Sequence, residues 1–296
     1  MPSDLSAQAG ARAGTLELVT RRAVTEPTCG AYRSLFKGQG SAFSELRAYE
    51  PGDDVRNIDW NVTARSGEPW VRVYEEEREL VVYLLVDLSG SMGYGSHRGL
   101  KSEAVLRVAA SLVMSVLRGG DRVGLITFAD RVLSVDPARK GKAHALRLMS
   151  RLLSGRPRPA GTDLHAALER LLQLRRRSAM VFVLSDFEAP PFDDVLRAAA
   201  ARYDVVPVVV HDRAEVELPS DGLVRLRDAE TGEAVTIDSS DPGVRRAWQE
   251  RAGAARQRRV RLFRELRLSP VEAEVSQDAV RALAGLMQRR ASGRQP

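Results

Sequence analysis

Between residues 80 and 212, hydrophobic positions arrive in short unbroken runs separated by amphipathic stretches. The runs are LVVYLLV (80–86), RVGLITFA (122–129), AMVFVLSD (179–186) and DVVPVVVHD (204–212). Runs of this length, rich in β-branched residues and lacking polar alternation, predict strands covered on both faces. The stretch 99–118 places Ala104, Val105, Val108, Leu112, Val113, Val116 and Leu117 on one helical stripe, and Gly119-Gly120 ends it. Further helices are predicted at 142–154, 163–176 and 191–202, and VLSVD (132–136) can return as a hairpin beside the second strand. Strand and helix in alternation predict an open, doubly wound α/β fold, its mostly parallel sheet covered by helices on both faces.

The flanks follow other patterns. Residues 1–79 are polar and short of long periodic segments, with a short helix expected near 16–24 and a turn at Pro51-Gly52-Asp53-Asp54. VRVYEEERE (71–79) leads into the first strand. This N-terminal segment is expected to pack on a main domain comprising 80–296. Its Glu45, Arg47, Asp53, Asp54, Arg56, Asp59, Trp60 and Arg65 suit either an ion-pair apron over a sheet edge or a partner contact, and the apron is the simpler reading. Beyond 212, LVRLRDAETGEAVTID (223–238) reads as a hairpin turning at Glu230-Thr231-Gly232-Glu233. An arginine-rich helix within 245–267 and a last helix near 277–290 complete the chain.

The charge is less telling than it looks. The net charge is +6, but of 45 basic residues only Lys37, Lys101, Lys140 and Lys142 are lysine, a bias that points to codon usage. In the arginine-rich helix, Trp248, Ala252, Ala255, Leu262 and Leu266 recur on one face, so the arginines are expected to lie in water. Interleaved aromatics that would mark a nucleic-acid surface are missing, and no nucleic acid is expected. No apolar run reaches the roughly 20 residues of a membrane span, and residues 1–14 lack the apolar core of a secretory leader. The single cysteine, Cys29, permits no internal disulfide. A cytoplasmic protein is the expectation.

Candidate chemistry is sought where buried strands end, because ligands of open α/β sheets bind at the carboxyl edge. Asp87-Leu88-Ser89-Gly90-Ser91 follows the first run, Ser185-Asp186 closes the third, and Ala160-Gly161-Thr162-Asp163 opens a helix. Asp87, Ser89, Ser91, Thr162 and Asp186 offer two carboxylates and three hydroxyls. These hard oxygen donors suit one divalent cation, magnesium first, with manganese or calcium possible. Separately, the serines and Thr162 could merely cap helices. Their joint occurrence at the right elements favours a shared metal site, one poor in direct carboxylates and open to an acid from outside.

VVYLLVDLSGSM, GDRVGLITFAD, AGTDLHAALERL and MVFVLSD resemble the landmark segments of von Willebrand factor A domains. The resemblance implies a metal-ion-dependent adhesion site in which Ser89, Ser91 and Thr162 bind the ion directly or through water, while Asp87 and Asp186 mostly hold coordinated waters. The stretch from Gly40 to Glu79, the ETGEAV hairpin and the ending VSQDAVRALAGLMQRR are similar to a bacterial family of unknown biochemical function associated with MoxR-type AAA+ ATPases. Many of its members carry membrane spans before this segment, and this chain has none, which implies a soluble form.

A non-catalytic adaptor is therefore expected, binding a protein partner whose Asp or Glu completes the metal, with a MoxR-type ATPase as partner or helper. Two other readings stay open: a metal-dependent hydrolase at the same site, and nucleic-acid binding through the arginine-rich helix. For the hydrolase, Ser91 would need a base such as His165, and no Gly-x-Ser-x-Gly elbow is present.

Overall fold

The computed structural model describes residues 45–73, 80–96, 99–158, 160–174, 178–275 and 279–291. The helix expected near 16–24, and Cys29, lie outside them. The main sheet contains β3 (Val81–Asp87), β4 (Arg122–Phe128), β5 (Val132–Arg139), β6 (Met180–Ser185), β7 (Asp204–His211) and β10 (Val271–Glu274), in the order β10-β7-β6-β3-β4-β5. Every pairing is parallel except β4 with β5. The chain thus moves outward from β3 to β4 and β5, then returns to the other side of β3 for β6, β7 and β10. This is a mixed α/β architecture with a mainly parallel central sheet.

The unbroken apolar runs have a direct physical reading. Along β3, Val82, Leu84 and Val86 enter one core cluster with helices α2 (Lys101–Gly119), α3 (Lys142–Ser154) and α7 (Ala279–Ala291). Tyr83 and Leu85 enter the opposite cluster with α4 (Leu164–Gln173), α5 (Asp193–Arg202) and the end of α6 (Pro242–Glu265). A strand covered on both faces cannot alternate with polar residues, because each would be buried without a partner. Gly124 makes room for the Tyr83 ring, since a Cβ there would lie 2.3 Å from Tyr83 Cε1.

The two prolines inside strands sit where ladder bonds are dispensable. Pro137 lies in β5, an irregular edge strand. Pro207 lies in β7 one residue before β10 begins its pairing at Val208, so β7 has no partner there on that side.

The predicted elements appear at nearly the expected places, with exceptions in the flanks. β10, with only VEAE and charged alternate residues, has too little apolar signal to be read from sequence. In the N-terminal segment, β1 (Glu45–Ala48) pairs antiparallel with β2 (Trp70–Val73) around α1 (Trp60–Ser66), whose N-cap Asp59 accepts from the Asn61 and Val62 N–H groups. The turn at 51–54 forms, with Gly52 at φ 117° and the Asp53 carboxylate accepting from the Glu50 N–H and from Arg47. Strands β8 (Leu223–Arg227) and β9 (Ala234–Asp238) make a separate two-stranded ribbon.

Candidate functional site

The five residues singled out from sequence gather at the carboxyl rim, where the winding reverses between β3 and β6. Asp87 is the last residue of β3 and is fully buried. Its Oδ1 accepts the Ser89 N–H at 2.9 Å, and its Oδ2 accepts the Ser185 hydroxyl at 2.6 Å. The turn this creates brings Ser89 Oγ within 3.1 Å of Ser91 Oγ. The Gly90 N–H donates to Ala160 O at 3.0 Å, fastening the loop that carries Thr162 beside the serines. Asp163, not Thr162, is the N-cap of α4, accepting from the Ala166 N–H at 2.8 Å, so the Thr162 hydroxyl is not used as the cap. Ser89 likewise makes no side-chain cap to the following 3-10 turn.

Asp186 follows β6 and is stabilised by its surroundings. Phe187 takes φ 61°, a left-handed conformation costly for a non-glycine residue. Its ring is held edge-on against Phe263 of α6, with centroids 5.1 Å apart. This bend lets Asp186 Oδ1 accept the Glu188 N–H at 3.1 Å.

Sequence reasoning missed Lys101. It is 1% exposed, and its Nζ donates to Asp186 Oδ2 at 2.8 Å and to Glu215 Oε1 at 2.5 Å. Burial alone would lower its pKa, but the two carboxylates outweigh that effect and raise it. One signal was available: Lys101 is one of four lysines in a chain whose other basic residues are arginine. A compact ammonium fits a closed pocket that a guanidinium would overfill. Arg259 of α6 also departs from expectation. Rather than lying in water, it is largely covered and donates to Asp186 O at 3.2 Å and toward Glu188 Oε1 at 3.5 Å.

The electrostatics leave the rim short of positive charge on the β3 side. Burial, and then the neighbouring Asp186 carboxylate, push the Asp87 carboxyl up to about 6. Burial and Asp186 likewise raise Glu188. A divalent cation between the serines and these carboxylates would relieve that repulsion. The donor set fits one: three hydroxyls and two carboxylates, each carboxylate with lone pairs beyond those the protein occupies. Among the described residues no three carboxylates, imidazoles or thiols form a ligand cluster.

Among the described residues the histidines lie elsewhere. His165 is half exposed and 3.4 Å from Glu169 on the same helix. The His144 ring bonds Val123 O at 2.8 Å inside the structure, and His211 lies 3.4 Å from Glu272.

A mixed α/β chain with buried aspartates and hydroxyls at one sheet rim is thus the class defined by fold and site. The family model described as protein of unknown function DUF58 matches residues 45–259, and the chain belongs to that family. An uncharacterized protein of Mycobacterium tuberculosis (strain H37Rv) is 37% identical over 245 residues, spanning 82% of this chain and 77% of that protein. Among solved structures, the conserved hypothetical protein BatB from Bacteroides thetaiotaomicron aligns with 72% of this chain and 99% of its own, at 18% identity and TM-score 0.48. An aerotolerance-related membrane protein from Bacteroides fragilis, crystallised with multiple mutations to serines, aligns over the same shares at 16% identity and TM-score 0.48. No helix among the described residues of the present chain is long and apolar enough to cross a membrane.

Proposed function

We propose that this protein is a non-catalytic, metal-dependent docking protein with a doubly wound, von Willebrand factor A-like core. Ser89, Ser91 and Thr162 hold one magnesium ion, with Asp87 and Asp186 fixing its waters. A partner contributes an Asp or Glu to the ion. The observation that carries this reading is the meeting of three hydroxyls with two buried carboxylates at the reversal point of the sheet, where Asp87 is destabilised without added positive charge. His165, the base that a Ser91 nucleophile would need, is half exposed and engaged with Glu169, which favours docking over hydrolysis. A MoxR-type AAA+ ATPase as partner or helper rests on the sequence resemblance alone, and a cytoplasmic setting is proposed from the hydrophobic pattern of the sequence.

Two measurements test the reading. Magnesium at about 100 times its Kd should raise the unfolding free energy by about 2.7 kcal/mol, and Asp87→Ala, once shown to be folded, should lose that gain. Affinity capture from native lysate should retain a MoxR-type ATPase or its client with wild type in magnesium, and lose it in EDTA or with Asp87→Ala. An identical set of captured proteins in every condition sinks metal-completed docking.

A further inference from the structure

We infer that the tip of the β8–β9 hairpin is the site's own acidic ligand, with Glu230 standing where an external carboxylate would bind, so that a partner must displace it. This rests on the metal-site reading above and extends it to the regulation of that site.

Three observations lead there. The Thr162 hydroxyl donates to Glu230 Oε1 at 3.0 Å, although the two residues are 68 positions apart and lie on different elements. Glu230 Oε2 lies over Gly161, 3.6 Å from where a Cβ would stand. Second, the hairpin backbone is pressed against the serine string itself. A Cβ on Gly90 would stand 2.1 Å from Ala229 O and 3.2 Å from Arg158 O, so a side chain between the two serines would push the tip away.

Third, the tip is built to present that one side chain. Asp228 Oδ1 accepts the N–H groups of Glu230 and Thr231, both at 2.8 Å. Asp228 N–H donates to Glu233 O at 2.8 Å, and Gly232 closes the turn at φ 77°. The base of the ribbon is also fixed: buried Ser239 bonds Gly222 O, and Arg245 donates to Ser239 O and Ser240 O at 2.7 Å each. Among the described residues the strands of the ribbon pair only with each other, and Leu223 and Val235 are exposed. A two-stranded ribbon of that kind is marginal alone. It is tethered at one end, docked at the other and weakly held between, which suits a displaceable arm.

The charge pattern explains why the docked group is an acid. The Glu230 carboxylate meets repulsion from Asp186 that Lys101 offsets only in part, whereas a cation held by the three hydroxyls would give it a direct counter-charge. A built-in acid strengthens the metal and excludes outside acids until something pulls the tip off.

The test uses the full chain and manganese as the probe, read by electron spin resonance for affinity and by water-proton relaxation for exchangeable waters on the bound ion. Glu230→Gln should weaken manganese binding by about tenfold or more. It should also raise the relaxation enhancement per bound ion, as water takes the vacated position. Millimolar acetate should then suppress that extra enhancement in Glu230→Gln and leave wild type unaffected. If Glu230→Gln matches wild type in affinity and relaxation while Asp87→Ala loses the ion, the arm is overturned and the metal site stands. Equal sensitivity of both proteins to acetate also overturns it. If wild type binds no manganese, the site reading fails and the arm with it.

Discussion

The carboxyl rim of the sheet and helix α6 are both crowded with charge, and they treat it in opposite ways. At the rim, Asp87, Lys101, Asp186 and Asp212 are buried, and each is met by a named partner: Ser185, two carboxylates, Lys101 and the Ser96 N–H. On α6, Arg256, Arg258 and Arg261 face water. Charge density alone would have singled out the helix. Burial, with the desolvation it imposes, singles out the rim, because a charge taken out of water must be hydrogen-bonded or countered in place. Arg259 is informative because it belongs to the helix by sequence and to the rim by position.

The largest effect is expected at Lys101. Lys101→Ala leaves Asp186 buried without its cation and should cost about 3–5 kcal/mol, toward the lower end because Glu215 is partly solvated; urea unfolding would measure it. A loss below about 1 kcal/mol would mean that the rim is not held by countered charge. Next comes the divided helix. Arg259→Ala should cost about 1 kcal/mol for its covered bond to the Asp186 carbonyl, while Arg258→Ala should fall within about 0.5 kcal/mol of wild type. Equal values for the two would erase the distinction between helix and rim.

The smallest effect concerns pH. Burial works to raise the Asp212 carboxyl, but the Ser96 and Ala214 N–H groups and the Lys101 charge outweigh it and hold it below its ordinary 3.8. Its ionised form is therefore favoured by folding. That contribution is complete above pH 3.8 and is lost as pH falls through the lower folded value. Asp212→Asn should show a shallower decline in stability below about pH 4 than wild type in acid titrations of the unfolding midpoint. Parallel declines would show that Asp212 carries no pH-linked stability.

Much of the core was legible because its physics is local. Strands β3, β4, β6 and β7 announce themselves as apolar runs, and α2 as a stripe that stops at Gly120, where φ is 76°. Asp87, Ser89, Ser91 and Asp186 were legible because they end or follow such strands at the edge where ligands bind, and Thr162 because its loop opens the helix α4. β10 was not, since four residues with charged alternates carry no periodic signal. Nor was the arginine of α6 that turns inward: Arg259 differs from Arg258 only in which side of a helix faces Asp186.

By itself, then, the sequence determined the order of elements, the two-faced burial of the sheet and the five oxygen-bearing residues at its rim. Those depend on patterns a few residues long. Only the tertiary structure decided that Lys101 neutralises Asp186 across 85 positions and that Glu230 reaches Thr162 across 68. Such pairings are set by the packing of loops from distant strands, and no local pattern of hydrophobic and polar residues encodes which of many charges will meet.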